Sequence, residues 1–220
     1  MNWLSETMQE LLLEAFWETL IMVGAAAAIA VAIGLPIALL LRVTDRDGLS
    51  PNPWINRPIG LIVNAARSTP FIILMVAIIP FTRFVAGTSI GTGAAVVPLA
   101  LAATAFLARL FENALHEVDK GVIEAARAMG ATRLQIVTKV LVPEALPGII
   151  AATTVALVSL VGFSAMAGAI GGGGLGDLGI RFGYQRFMPE VMATVVILLI
   201  VFVQGLQSLG DWLVRRVSHR

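Results

Sequence analysis

Five long apolar stretches run through this chain and leave it few ways to fold. Each holds about 20 mostly apolar residues, the length that a helix needs to cross a bilayer. They lie at roughly 17–41, 68–86, 92–112, 145–170 and 188–213. The 220 residues are 58% hydrophobic and only 13% charged, with a mean hydropathy of +0.89, so polar side chains cannot cover a water-facing surface. We predict an all-α integral membrane protein with five transmembrane helices.

The remaining composition excludes several classes of function. A net charge of +1 does not provide the basic face that a nucleic-acid partner needs. The chain has no cysteine, which excludes disulfides and thiolate metal sites. It also lacks a Gly-x-x-x-x-Gly-Lys-Ser/Thr loop, so no lysine of that motif can hold the phosphates of ATP. We expect no catalytic residue, no metal and no cofactor.

The basic residues predict the orientation in the membrane. Of 15 Lys and Arg, three fall in segments that face outward if the N-terminus is outside, namely Arg83, Arg181 and Arg186, and the other 12 face the cytoplasm. An odd number of spans then places the C-terminus inside. The first 15 residues contain three glutamates but no Lys or Arg, so we expect the first span to be retained as a signal anchor.

The inner segment between the third and fourth spans, residues 113–144, has the pattern of two short helices joined by Gly130. One face of the first helix carries Val122, Ala126 and Met129. Gly130 suits the left-handed conformation that closes a helix.

The second short helix is predicted to begin at Thr132, because Thr132 and Gln135 have the spacing of a capping box. Pro143 is expected to mark its end. Its apolar face is predicted to contain Leu134, Val137 and Leu141.

This inner segment resembles the EAA signature of importer-type ABC permeases: Glu-Ala-Ala, three residues, Gly, nine residues, then Ile-x-Leu-Pro. Valines replace the Ile and Leu of the signature, and the residues that match are Glu124, Ala125, Ala126, Gly130 and Pro143. The resemblance implies that the segment docks into a cleft of a separate ATP-binding subunit and transmits its closure to the spans. Small Ala125 and Ala126 would permit close approach, and Glu124 would pair with a basic partner.

An alternative interpretation is a pair of amphipathic helices lying on the bilayer surface. It explains the apolar faces of residues 113–144. It does not explain the complete spacing of the signature, nor a charged face that carries both signs.

Further motifs resemble the methionine-uptake permeases in particular, and they lie at 67–74, 79–83, 87–91, 124–132, 143–148 and 164–166. The resemblance covers essentially the whole chain. It implies the transmembrane domain of a type I ABC importer over residues 1–220, with a coupling loop at about 113–144. It also implies a homodimer, two copies of an ATP-binding subunit and a periplasmic methionine-binding lipoprotein. The cargo would be methionine, with the preference between the L and D forms open.

Two other functions remain open. One is the same machine with another amino acid as cargo, which the apolar spans disfavour because a charged cargo needs ionisable residues within the membrane. The other is an autonomous channel or proton-coupled carrier. A carrier is expected to have acidic or histidine residues within its spans, whereas only Glu14 and Glu18, near the outer edge, come close.

The fourth span carries the candidate pathway residues Ser159, Ser164 and Met166. A thioether is flexible and polarizable, which suits an apolar gate that lets a sulfur-containing side chain pass. The alternative is that Met166 only fills packing space, which is the commoner role of methionine. The family resemblance supports the gate as much as packing, and both interpretations stay open.

Small residues recur at four-residue spacing in the first span, at Gly24, Ala28 and Ala32, and we expect this face to pack against another helix. Glycines are also dense over 168–179, where two overlapping Gly-x-Gly-x-x-Gly patterns occur. Neither pattern has the strand–helix context of a dinucleotide site. We therefore interpret 168–179 as a flexible re-entrant or external turn.

A few isolated polar residues have two possible roles. Arg83 and Arg181 either contact a substrate carboxylate at the outer mouth or anchor the membrane interface. His116 and His219 have no metal-ligand cluster around them and are expected to be solvated loop residues.

Overall fold

The computed structural model describes residues 6–218, and every regular element in that range is helical. The α-helices are α1 (Glu6–Thr44), α2 (Pro53–Ser68), α3 (Phe71–Ala77), α4 (Ile79–Ala86), α5 (Thr92–His116), α6 (Lys120–Ala128), α7 (Arg133–Ile136), α8 (Val142–Ala167), α9 (Gly174–Leu178) and α10 (Pro189–Val217). Three π-helical turns extend or join them, at Val137–Leu141, Gly168–Gly172 and Gly179–Tyr184. The all-α prediction is confirmed.

Four helical segments in the described range are long and apolar enough to cross a membrane: α1, α5, the continuous segment Arg133–Gly172, and α10. The bent pair of α2 and α3, which turns through 105°, brings the number to five if it counts as one span. The predicted span over 68–86 is divided into two short helices, α3 and α4. Pro70 caps the start of α3, Pro80 lies in the first turn of α4, and proline cannot donate the backbone bond that would carry a helix across either point.

The first long helix packs along α5 through small side chains. Its buried small residues recur at four-residue spacing, at Ala26, Ala30, Gly34 and Ala38. A Cβ added to Gly34 would lie only 3.3 Å from the carbonyl oxygen of Thr104 on α5. The packing face predicted at Gly24, Ala28 and Ala32 is exposed instead, because those positions lie on another side of α1.

The main core lies between α1, α5 and α8. Its largest fully buried side chains include Met22, Leu99, Phe111 and Leu160. Phe71 of α3 stacks on Phe163 of α8, with ring centroids 4.8 Å apart, and so ties the broken segment to the bundle. A second apolar cluster joins the beginning of α1 to α9 and α10, through Leu12, Leu175, Leu178, Val191 and Val195.

One charged side chain, Arg109 of α5, fixes α2 against the bundle. Its guanidinium donates to Asn64 Oδ1 at 3.0 Å and to the carbonyl oxygen of Gly60 at 2.9 Å, both on α2. It also forms an ion pair with Glu112 one turn along α5. Because Glu112 is buried, removing the arginine would leave a carboxylate without its partner.

We expect Arg109→Met to lower the free energy of unfolding by about 3 kcal/mol, the usual cost of leaving a buried charge unpaired. The double variant Arg109→Met/Glu112→Leu should recover most of that loss, since no charge is then stranded. Thermal unfolding of the purified protein measures both. An equal loss in the single and double variants would contradict this role of the pair.

Candidate functional site

The inner segment predicted to couple with a partner begins with α6. The carboxylate of Asp119 caps this helix by accepting a hydrogen bond from the backbone N–H of Gly121 at 2.6 Å. The helix buries Ile123 and Ala126 against the chain's own core and turns its charged residues outward. The cap and the buried pair hold α6 against the bundle.

Gly130 closes α6 in the left-handed conformation, with φ at +82°. The N–H of Gly130 donates to the carbonyl of Arg127 at 3.0 Å, and that of Ala131 donates to the carbonyl of Ala126 at 3.1 Å. This is the Schellman pattern of a helix end. The sequence prediction for Gly130 is confirmed.

The second helix begins at the predicted capping box. The N–H of Gln135 donates to Thr132 Oγ1 at 3.3 Å, and the N–H of Thr132 donates to Gln135 Oε1 at 2.8 Å. Its expected end at Pro143 is wrong, because the helix continues through the π-helical turn Val137–Leu141 into α8. A π-helical turn pairs backbone groups five residues apart, which accommodates a local change in the bonding register. The part of the coupling segment after Gly130 is thus the beginning of a long membrane helix.

The predicted coupling residues divide between the surface and the core. Glu124, Ala125 and Gly130 are exposed, as is Pro143. Ala126 is only 4% exposed, and its small side chain brings α6 close to this chain's own core.

Three apolar side chains of this segment remain uncovered: Val122, Met129 and Leu134. Met129 and Leu134 are 82% and 73% exposed, on either side of the turn at Gly130. Of the apolar face predicted for the second helix, Leu141 is buried and Leu134 is exposed, and Ile136 is buried as well. Together with Glu124 and Arg127, the uncovered side chains form a mixed apolar and charged surface.

The loop between α1 and α2 holds the beginning of α6. Lys120 Nζ donates to Asp47 Oδ2 at 3.0 Å, and Arg133 donates to Ser50 Oγ at 3.0 Å. The hydrogen bond from Lys120, and then its charge, lower the pKa of the Asp47 carboxyl. A lowered pKa means that the contact is present above the ordinary pKa of aspartate and is lost only as the pH falls through the lowered value, so the ion pair is complete at neutral pH.

The candidate pathway residues do not share one face of α8. Met166 is 48% exposed and lies two turns from Ser159, on the exposed side of the helix with Val155 and Gly162. Ser164 is 2% exposed and its hydroxyl donates to the carbonyl of Val161 at 2.8 Å, so it faces the core. The sequence grouped the three because they lie on one span, and the helical geometry separates Ser164 from the other two.

The glycine-rich stretch after α8 is a packed turn rather than a flexible one. Glu18 Oε2 accepts a hydrogen bond from the N–H of Gly174 at 2.6 Å, and Thr19 Oγ1 accepts one from Leu175 at 2.9 Å. Thr92 donates to the other oxygen of Glu18 at 3.2 Å. Sequence reasoning missed Glu18 and Thr19 as anchors; the signal was two adjacent polar residues at the start of the apolar run in α1.

The isolated polar residues do not gather into a centre. Arg181 pairs with Asp177 at 3.0 Å, and Arg83 donates to Ser89. Nε2 of His116 lies 3.7 Å from Oδ2 of Asp45. His219 falls outside residues 6–218. Within that range no group of three potential metal-binding side chains occurs.

A family model described as the inner membrane component of binding-protein-dependent transport systems matches residues 30–220. The chain belongs to this family. Multi-pass insertion in the inner membrane and a role as a transport component follow from that membership and from the apolar helices. The predicted resemblance to importer permeases is confirmed.

Individual relatives show which members of the family this chain resembles. The chain is 55% identical over 211 residues to the probable D-methionine transport system permease protein MetI of Vibrio cholerae, covering 96% of this chain and 94% of that protein. It is 53% identical to the D-methionine transport system permease protein MetI of Escherichia coli K12, covering 75% of this chain and 76% of that protein. A chain of an inward-facing MetNI methionine ABC transporter superposes with a TM-score of 0.96 at 50% identity, covering 98% of this chain and 100% of that one.

Proposed function

We propose that this chain is the permease subunit through which methionine crosses the inner membrane, in an importer driven by a separate ATP-binding subunit. The observation that carries the proposal is the likeness to a methionine transporter along its whole chain, in sequence and in fold together. Two copies of the chain form the pathway, two ATP-binding subunits dock beneath them, and a periplasmic methionine-binding lipoprotein delivers the cargo. Residues 1–220 act as one transmembrane domain.

The N-terminus lies outside and the C-terminus in the cytoplasm. The distribution of Lys and Arg supports this orientation, with 12 of 15 on the inner side. The orientation also puts the uncovered surface around Gly130 in the cytoplasm, which is where an ATP-binding subunit has to dock.

That surface transmits the movement of the ATP-binding subunits to the membrane spans. Glu124 and Arg127 offer charges of both signs, Ala125 allows close approach, and Met129 and Leu134 present apolar side chains that lose water on docking. Because the second helix continues into α8 without a break, a push on the docked segment moves a membrane span directly. Pro143 lies in the first turn of α8.

ATP hydrolysis belongs to the partner and the chain itself is not an enzyme. Binding of ATP draws the ATP-binding subunits together, and their closure favours the outward-open form of the pathway. The nucleotide achieves this only if it binds the closed arrangement more tightly than the open one. Hydrolysis returns the complex to the inward-open form.

Met166 forms a gate on the exposed face of α8, with Ser159 two turns below it. A thioether at this point gives methionine an apolar, polarizable surface to pass. Ser164 contributes by holding the helix rather than by touching the cargo, because its hydroxyl is already bonded within α8.

We expect Met166→Trp to slow methionine uptake severely, because the larger ring narrows the pathway without removing a buried contact. Uptake by cells at matched amounts of inserted protein measures the effect. Val196→Trp on α10 is the matched control, since Val196 is 46% exposed and lies outside the proposed gate. Normal uptake by Met166→Trp would remove Met166 from the gate.

The cargo is tested by uptake of labelled methionine in cells that lack their own importer but receive this chain with its ATP-binding and binding-protein partners. Unlabelled L-methionine, D-methionine and a polar amino acid are added in turn as competitors. We expect only the methionine forms to suppress uptake. An assembled complex that takes up the polar amino acid and not methionine would keep the importer architecture and overturn the cargo.

A further inference from the structure

A small cavity of about 90 Å³ lies where the end of α1 and the loop after it meet α6. Its lining includes Arg42, Gly48, Lys120, Ile123, Glu124 and Arg127. It shares Gly48 and Arg127 with a wider groove of about 490 Å³ that continues to Arg133. A water molecule needs about 10–15 Å³ of such space, so the cavity has room for an ion with several oxygen atoms.

Arg42 brings a buried positive charge to this cavity. The residue is 5% exposed, and within the described range no carboxylate lies at ion-pair distance from it. Both of its hydrogen bonds are long: Nε donates to the carbonyl of Leu115 at 3.4 Å, and Nη1 donates to the carbonyl of Asp47 at 3.5 Å. Usual N–H···O distances are about 2.7–3.2 Å. A buried charge is costly unless it is paired, so this guanidinium lacks the counter-ion that would offset its burial.

The remaining nitrogen of Arg42 can be reached from the cavity. Nη2 makes no hydrogen bond to any group in residues 6–218. It is not sealed inside the protein either, since Thr82 Oγ1 is the one fully buried side-chain polar atom of that range without a partner. Nη2 therefore keeps accessible surface, and the cavity that Arg42 lines is open to it. The parallel N–H groups of a guanidinium suit the oxygen atoms of a phosphate or a carboxylate.

Two more cations stand at the mouth of the cavity. Arg127 is exposed and has no carboxylate at ion-pair distance among residues 6–218. Lys120 pairs with Asp47 at 3.0 Å, so that carboxylate is already engaged. With Glu124 included, the lining carries three positive and two negative charges, and Arg133 adds a further positive charge in the adjoining groove. The net positive charge favours an anion as the occupant.

We propose that this cavity binds one phosphate group, with the Arg42 guanidinium donating to its oxygen atoms and with Lys120 and Arg127 approaching from the mouth. A phosphate monoester carries nearly two negative charges and three acceptor oxygens, more than a carboxylate side chain of a docked protein offers to three cations. A bound phosphate would join the loop after α1 to α6 and so stabilise the position of the coupling segment.

Two sources can supply this chemistry. The site lies at the end of a candidate membrane span, which is the depth of lipid headgroups, and basic pockets at that depth bind anionic lipids. A lipid whose headgroup ends in a phosphate, such as phosphatidic acid, is one source. Free phosphate in solution is the other, and the same nitrogen atoms would hold either.

Binding is measured on the assembled complex in phosphatidylcholine nanodiscs, with excess ADP occupying the nucleotide sites of the ATP-binding subunits. Equilibrium dialysis with labelled orthophosphate tests the free ion. Nanodiscs that also contain phosphatidic acid test the headgroup, and native mass spectrometry counts the lipid molecules retained by the permease. The two arms separate the sources, because only the second can detect a site that requires a lipid.

We expect one phosphate group per copy of this chain. Arg42→Gln should weaken its binding tenfold or more, roughly the factor for losing a charge-assisted hydrogen bond. Arg127→Gln, at the exposed mouth, should weaken it about threefold. Arg46→Gln is the matched control and should bind like the parent, because Arg46 is an exposed cation of the same loop that does not line the cavity.

Arg42→Lys shows whether a loss comes from misfolding, since it keeps the charge and removes only the planar fork. We expect it to unfold at the temperature of the parent and to bind phosphate with intermediate affinity.

The site would be overturned if neither arm showed bound phosphate, or if Arg42→Gln bound it as tightly as the parent. Equal losses in Arg42→Gln and Arg46→Gln would also overturn it, because they would indicate general attraction of an adventitious ion only. If phosphate never binds and Arg42→Gln instead loses the copurifying ATP-binding subunit, the cavity receives a side chain of that subunit and the proposal is wrong. None of these measurements involves methionine transport, so the site and the proposed function are tested separately.

Discussion

Replacing Gly130 by valine is expected to lower methionine uptake about tenfold without preventing membrane insertion. Gly130 has φ at +82°, a conformation that costs a residue with a side chain about 1–2 kcal/mol, and roughly 1.4 kcal/mol corresponds to a factor of ten in the equilibrium constant between the native turn and other conformations. Nothing lies within 4 Å of a Cβ at this position, so the substitution does not clash inside the chain. The loss therefore comes from the turn that sets Met129 and Leu134 in place for docking.

The control is Gly130→Asn, because asparagine tolerates the left-handed conformation at a helix end. Uptake is compared at equal amounts of inserted protein, together with the amount of ATP-binding subunit that copurifies. We expect Asn to retain most of the activity and the Val variant to lose uptake and copurification in parallel. If Val and Asn behaved alike, the left-handed turn would not be what the coupling segment requires.

The second large effect is expected at Gly176 in the glycine-rich turn, where valine should lower the stability of the folded chain. A Cβ there would lie 2.4 Å from the carbonyl oxygen of Ala165 and 2.5 Å from its Cα, and backbone atoms inside a packed helix cannot move aside cheaply. Overpacking of this kind costs about 3 kcal/mol or more, which corresponds to a fall of roughly 10 °C in Tm for a chain of this length.

The comparison is Gly162→Val on the exposed side of α8, where nothing lies within 4 Å of a Cβ. Thermal unfolding of both purified variants, with the yield of monodisperse protein, provides the measurement. A Tm within 2 °C of the parent for Gly176→Val would mean that the glycine-rich turn does not pack as closely as described.

Structural features that depend on local backbone chemistry were predicted correctly from the sequence. The capping box at Thr132 and Gln135 depends on two side chains three residues apart, and the helix end at Gly130 depends on one residue that tolerates positive φ. Both are decided within a single turn, so distant residues cannot alter them.

The sequence did not predict which face of a membrane helix is buried. Lipid is as apolar as a protein core, so hydrophobicity does not mark the side of α1 that meets α5. Two stripes of small residues at the same spacing run along that helix, and the one containing Ala30 and Gly34 is the one buried within this chain. The position of Ser164 was hidden for the same reason.

The glycine-rich segment 168–179 and Pro143 were interpreted wrongly from the sequence. A residue type indicates which backbone conformations are allowed, but not what packs around the residue. Glycine serves a flexible turn and a close contact equally well, and only the approach of Ala165 to Gly176 tells them apart. Likewise Pro143 ends a helix only if the preceding turn cannot adapt, and here the π-helical turn before it does adapt.

The central claim is that this chain moves methionine only when a partner hydrolyses ATP. The most direct test places the complete complex in lipid vesicles, with the binding protein and labelled methionine on the outer side and ATP on the side of the ATP-binding subunits. We expect methionine to accumulate above its external concentration with ATP, and not with a non-hydrolysable analogue. Methionine that equilibrates across the membrane without ATP would contradict the account and make the chain an autonomous channel or carrier.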